Sequence, residues 1–327
     1  MAESQNKNKI KERSDNLFPV VGVGASAGGL EAFKRLIRVI PEKSGVAYIL
    51  VQHLEPTHES MLVEILQKVT RVPVQEITNN VRVEPDHIYV IPSNKLLTAN
   101  DGRLELSSRR PKHEKNMPID VFFTSLSEVH QSHAIGVVLS GTATDGTLGL
   151  KAIKDHGGFT FAQEQRSAAF DSMPQSAIDA EVVDFILKPE EIPLQVSKLV
   201  ETLRNGLGGD KENIKSAKEE AFRQLITLLR IRKGTDFTYY KQTTVRRRII
   251  RRMGLNKMEN ITDYLAYCRE NMEEQDLLYQ DLLPLALFDA TDQSQIQFHH
   301  MRFQIDDALQ VRMTCAEVVD DQEGATA

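Results

Sequence analysis

"FPVVGVGASAGGLEAF", residues 18–33, passes from an apolar strand pattern into glycines around a single serine, and then into a helical pattern. Leu30, Phe33, Leu36, Ile37 and Ile40 share one helical face, so a helix follows the first strand directly. A tight strand-to-helix turn of this kind has two chemical uses. Its free backbone N–H groups can cradle a phosphate at the helix start. Alternatively, it can lift the hydroxyl of Ser26 above a sheet, with the same N–H groups placed to bind an oxyanion. A third reading is purely local, with Ser26 as a helix cap. The spacing Gly22-x-Gly24-x-x-x-Gly28-Gly29 departs from the G-x-G-x-x-G of dinucleotide sites. The second strand, in "VAYILVQHLE", ends in Gln52 and His53 where a ribose-binding carboxylate is wanted, with Glu55 two residues further on.

Outward from this turn, strand patterns occur at 18–23, 46–51, 87–91, 135–139, 159–162 and 182–187, alternating with amphipathic helices. "KLLTANDGRLELSS" alternates about Asn-Asp-Gly and reads as a hairpin. The alternation predicts a doubly wound, mostly parallel α/β sheet with helices on both faces. Glycines and charges in "RNGLGGDKEN" break the pattern, and a small all-α domain follows. The expected organisation is a disordered leader at 1–16, an α/β domain at 17–203, a linker at 204–218, a helical domain at 219–283 and an unassigned tail at 284–327, whose folding the pattern leaves open.

A serine nucleophile needs a base within hydrogen-bond reach and a carboxylate to orient that base. His53 offers the base at the end of the second strand, with His58 a nearby rival, and Asp145 follows the strand at 135–139 in "AIGVVLSGTATDGTLGL". In the strand order 3-2-1-4-5, the ends of the strands carrying Ser26, His53 and Asp145 are neighbours. Asp145 before Gly146 also fits a simple turn or helix cap.

Composition narrows the alternatives. The 327 residues are 41% apolar and 26% charged with a net charge of −6, which gives no overall nucleic-acid footprint. Cys268 and Cys315 are the two cysteines and lack metal-ligand spacing, so neither a disulfide scaffold nor a metal site is expected. The polar start lacks a signal-peptide core and no apolar run approaches the ~20 residues of a membrane span. A cytoplasmic protein with no membrane insertion and no nucleic-acid partner is expected.

The stretches "GASAGG" (24–29), "VQHLEP" (51–56), "IYVIPSN" (88–94), "SGTATDGTLGL" (140–150) and "SMPQSAI" (172–178) together resemble the chemotaxis receptor methylesterases of the CheB type. The resemblance implies a serine hydrolase of glutamate γ-methyl esters on cytoplasmic receptor helices, with glutamine deamidation in some members and no cofactor. It makes Ser26 the nucleophile, His53 the base and Asp145 the orienting carboxylate, with Ala27, Gly28, Thr142 and Met173 at the oxyanion and substrate positions. Three positions depart from the family pattern. Ala27 stands where threonine is usual, Gln175 where arginine is common, and Gly141-Thr142-Ala143-Thr144-Asp145-Gly146 replaces Gly-Met-Gly-x-Asp-Gly. The altered turn around Asp145, together with a transferase-like half that breaks off, motivates a competing expectation, an adaptor that binds sensors without useful catalysis.

The region from "FRQLITLLRIRKGTDFTYYKQTTVRRRIIRRM" through "ITDYLAYCREN" resembles the helical N-terminal domain of CheR-type receptor methyltransferases. That likeness ends near residue 283, where an S-adenosylmethionine-binding domain should follow, so no methyl transfer is expected. In this stretch Val245, Ile249 and Met253 form an apolar stripe. Arg246, Arg247, Arg248, Arg251 and Arg252 cover the rest and are candidates for docking acidic receptor helices, against the alternative of a solvated, glutamate-paired face.

Overall fold

The computed structural model describes residues 18–52, 61–109, 117–207, 212–289, 302–305 and 311–314. The expected leader, His53, His58 and most of the expected tail lie outside the described residues. Along the chain come β1 (Val20–Ala25), α1 (Gly29–Ile37), β2 (Ala47–Gln52), α2 (Leu62–Gln67), β3 (Val74–Glu76), β4 (Val81–Arg82), β5 (Ile88–Val90), β6 (Lys95–Asn100) and β7 (Arg103–Ser108). These are followed by α3 (Pro118–His130), β8 (Ala134–Val138), α4 (Thr147–Asp155), β9 (Phe159–Gln163), α5 (Ser172–Asp179), β10 (Phe185–Leu187) and α6 (Ile192–Leu207).

Seven strands form one sheet in the order β10-β9-β8-β1-β2-β5-β3, with every pair parallel. Parallel strands need crossovers, and the crossover helices cover both faces, which is why β1, β2 and β8 are almost wholly apolar and buried. The expected doubly wound sheet is therefore present, with β1 between β2 and β8. Helix α3 lies against the sheet because β1 carries glycine on that side. A Cβ on Gly24 would come within 2.5 Å of Ile119. Ile119, Phe122, Phe123 and Leu126 are consequently fully buried against the sheet. Each such side chain contributes ~1.5–3 kcal/mol of hydrophobic stabilisation. The hairpin forms as β6 and β7, turning through Asp101 and Gly102 at φ 47° and 73°, and β4 extends it to three antiparallel strands. Strands β3 and β4 were not expected. At three and two residues, they are too short to show a period.

Helices α7 (Glu212–Lys233), α8 (Gln242–Leu255), α9 (Ile261–Glu270) and the part of α10 (Met272–Asp289) up to Leu282 belong to the same compact unit as the sheet. Helix α6 runs on to Leu207 and α7 begins at Glu212, both inside the stretch expected as linker. A second unit, from Leu283 onward, contains the antiparallel pair β11 (Arg302–Ile305) and β12 (Val311–Thr314).

The arginines of α8 correct an expectation. Arg248 and Arg251 are buried, at 5% and 1% exposure, so neither is available as a docking group. The Arg251 guanidinium bonds to the Gly158 carbonyl at 2.9 Å, Asp184 at 2.6 Å and Asp281 at 2.9 Å. Arg248 donates to the carbonyls of Lys154 and Asp155, where a cation meets the negative end of α4. Arg247 bonds to Gln131, Arg246 pairs with Glu219 above the Phe222 ring, and Arg252 takes Glu274 in a two-pronged contact. The physical reason is that α8 is covered on more than its apolar stripe. Its charges are consumed in holding the helices to the α/β sheet and to each other.

Candidate active site

The serine turn is built from main-chain bonds. The Ser26 N–H donates to the Ser140 carbonyl at 3.0 Å, which continues the β1–β8 ladder one step past the strand ends. The Ser26 carbonyl accepts from the Gly29 N–H at 2.9 Å and closes the turn into α1. Gly28 is the residue that caps the helix, at φ 74°, a left-handed conformation that favours glycine. The N-cap of α1 is thus Gly28 and not Ser26, so the reading of the serine as that cap does not hold. No acceptor among the described residues takes the amides of Ala27 and Gly28. They sit behind a half-buried serine at a helix start, as oxyanion donors require.

Ser140 is a residue whose role was not read from the sequence. Its hydroxyl donates to the Ala27 carbonyl at 2.8 Å and accepts from the Phe170 N–H at 3.0 Å, while its own N–H donates to the buried Gln163 amide oxygen at 2.9 Å. Together with the Ser26 bond, this joins the serine turn, the end of β8 and the segment after β9. Gly141 comes next, and its missing side chain matters. A Cβ there would lie 2.2 Å from Met173 Sδ and 3.0 Å from Ser26 Cβ. Met173 is fully buried beneath this point, so it supports the turn and does not face a substrate, contrary to expectation. Thr142 is exposed above it. Ala143 sits at φ 71°, which explains the glycine of the family pattern at that position. An alanine there costs about 1 kcal/mol in backbone strain.

Asp145 is 1% exposed and does cap a helix, though not its own. Its carboxylate accepts from the Ile119 N–H at 3.0 Å and the Asp120 N–H at 2.9 Å, across the chain at the start of α3. Helix α4 begins instead on Gly146 at φ 101°. Both carboxylate oxygens of Asp145 are thus taken by main-chain donors at the start of α3. Arg109 lies within electrostatic reach of Asp145, and burial lowers the pKa of its guanidinium against the Asp145 charge, which raises it.

Asp145 thus follows β8 and Ser26 follows β1, on neighbouring parallel strands, at the carboxyl ends where ligands bind in such sheets. On the other side of β1, Ala25 pairs with Gln52. His53 is the next residue of the chain after Gln52 and lies outside the described residues. Among the described residues, no group of three or more His, Cys, Asp and Glu could hold a metal ion, and no helix is long and apolar enough to cross a membrane.

The family model for the CheB methylesterase matches residues 21–196, and that for the all-alpha domain of the CheR methyltransferase matches residues 220–283. The chain is 33% identical over 172 residues to a protein-glutamate methylesterase/protein-glutamine glutaminase of Photorhabdus laumondii, covering 51% of this chain and 49% of that one. A relative of the same description in Methanococcus maripaludis is 30% identical over 212 residues, covering 62% of this chain and 58% of its own. The chain thus spans about half the length of these two relatives. The crystal structure of the Thermotoga maritima CheB methylesterase catalytic domain superposes with a TM-score of 0.52 at 25% identity, over 56% of this chain and 98% of that one. With more than half its length matched by the first of these families, the chain belongs to the CheB methylesterases.

Proposed function

We propose that this protein hydrolyses glutamate γ-methyl esters on the cytoplasmic helices of chemoreceptors or related sensors, and that the same site deamidates glutamine. The observation that carries the reading is the serine turn. A single half-buried hydroxyl stands on a glycine-formed turn, backed by two amides, one strand away from a buried carboxylate. In the proposed reaction Ser26 Oγ attacks the ester carbonyl as His53 takes its proton, and the tetrahedral oxyanion is held by the Ala27 and Gly28 amides. Asp145 orients the imidazole and stabilises its charged form. His53 returns the proton to the departing methoxide, and methanol leaves. Water then repeats the sequence on the acyl-enzyme and releases glutamate. The amide of glutamine follows the same path with ammonia as the leaving group.

The test is methanol release. A receptor cytoplasmic fragment carrying labelled methyl esters, incubated with the protein, is expected to lose label as volatile methanol in proportion to protein concentration. Label that stays on the fragment at the rate of buffer alone would contradict the proposal.

A further inference from the structure

The turn that carries Ser26 has a defined type. The Ser26 carbonyl accepts from the Gly29 N–H at 2.9 Å across Ala27 and Gly28, Gly28 sits at φ 74° and ψ 0°, and Ala27 has no positive φ. These features define a type II turn, with glycine at the position that demands it. Types I and II share their outer bond and differ by a flip of the central peptide, here the one joining Ala27 to Gly28. That peptide is trans, so its carbonyl and its N–H point in opposite directions. The flip therefore decides which of the two faces inward and which faces out.

One side chain holds that peptide. The Ser140 hydroxyl donates to the Ala27 carbonyl at 2.8 Å and accepts from the Phe170 N–H at 3.0 Å. A carbonyl cannot donate and an amide N–H cannot accept, so the hydroxyl proton is committed to Ala27. Ser140 is itself held firmly. It is 1% exposed, and its N–H is tied to Gln163, whose amide nitrogen donates in turn to the Ser167 carbonyl at 2.8 Å and hydroxyl at 3.2 Å. The hydroxyl also occupies the space beside Gly28, where a Cβ would come within 2.7 Å of it. With the Ala27 carbonyl drawn inward to this buried group, the opposite N–H faces out at Gly28, which is exposed and whose amide no acceptor among the described residues takes.

We infer that Ser140 is a positioning residue for the oxyanion site, its hydroxyl holding the Ala27–Gly28 peptide in the orientation that presents the Gly28 N–H to the tetrahedral intermediate. The inference rests on the esterase reading, in which that amide is an oxyanion donor. In the flipped turn the Ala27 carbonyl oxygen would face out, and the developing oxyanion would meet an acceptor in place of a donor. Substrate binding changes little, because the ester oxygen carries its full charge only after attack.

Methanol release from the labelled receptor fragment, compared among wild type, Ser140→Ala and Ser140→Thr, tests this. Ser140→Ala is expected to lose about 10–100-fold in kcat with KM within about threefold, because an oxyanion donor is worth about 10²–10³ and here it is misdirected, not removed. Ser140→Thr keeps the hydroxyl and is expected to recover most of the loss. Should the alanine variant fail to fold, Ser140→Cys, close in size and a weak donor, is read in the same way. A receptor peptide with a trifluoromethyl ketone in place of the methyl ester adds Ser26 Oγ to its carbonyl carbon and so reports on the oxyanion site without turnover. Its affinity should weaken in Ser140→Ala by the same factor as kcat, while the glutamate product peptide binds as before. A kcat within about threefold of wild type in Ser140→Ala would overturn the inference. So would an effect confined to KM, an unchanged ketone affinity, or a Ser140→Thr loss as large as that of Ser140→Ala. No methanol from the wild type would instead sink the esterase reading, and this inference with it.

Discussion

Ser26→Ala is expected to cut ester turnover by at least about a thousandfold while leaving the fold in place. The size follows from the chemistry, because without the hydroxyl no acyl-enzyme forms and only substrate binding and the oxyanion amides remain to assist water. The bonds that shape the turn, Ser26 N–H to Ser140 and Gly29 N–H to Ser26, belong to the main chain and survive the substitution. Melting should therefore shift by no more than about 1 kcal/mol. Paired measurements of methanol release and thermal unfolding check this. Turnover within tenfold of wild type would remove Ser26 from the mechanism, and a collapse in stability would make it a structural residue.

Arg251→Ala is expected to be the most damaging single change for stability. It strips the 2.6 Å partner from Asp184, whose side chain is 4% exposed and keeps Lys154 at 3.9 Å and the Thr160 N–H at 3.1 Å, removes a partner of Asp281, and takes the Arg251 donor from the Gly158 carbonyl. A buried pair replaced by well-packed apolar groups is often tolerated, whereas removing one member strands a charge and costs about 3–5 kcal/mol. For a unit of this size that corresponds to a fall of roughly 10 °C in melting temperature. Because Arg251 joins α8 to the segments around β9 and β10, the loss should show in the α/β sheet as well as in the helices. Arg251→Met with Asp184→Asn should recover part of it by discharging one stranded carboxylate. Calorimetry checks both variants. A loss below about 1 kcal/mol would mean that the three contacts carry little of the packing between the two regions.

What the sequence revealed and what it hid divide along physical lines. The order of β2, β1 and β8 was legible because continuous apolar runs separated by helical periods leave few topologies, and the switch point then falls beside Ser26. The role of Gly28 was legible because glycine after a strand signals a left-handed turn. The capping of α3 by Asp145 was hidden because the Asp120 N–H it accepts from lies 25 residues away in sequence, and an acid before a glycine reads as an ordinary turn residue. Ser140 was hidden for a similar reason, since its three partners come from separate segments. The arginines of α8 misled for a different one. The stripe of Val245, Ile249 and Met253 accounts for one buried face, and nothing in the pattern marks Arg248 and Arg251 as buried too. Cations are rarely enclosed unless paired, and the pairing residues Asp184 and Asp281 come from other parts of the chain.

The central claim is that Ser26 is an activated nucleophile served by His53. Labelling with a fluorophosphonate, mapped by peptide mass spectrometry, tests it most directly. The account predicts a single adduct on Ser26, formed at least about a hundredfold more slowly in His53→Ala. No adduct, an adduct on another serine, or an unchanged rate in His53→Ala would contradict it.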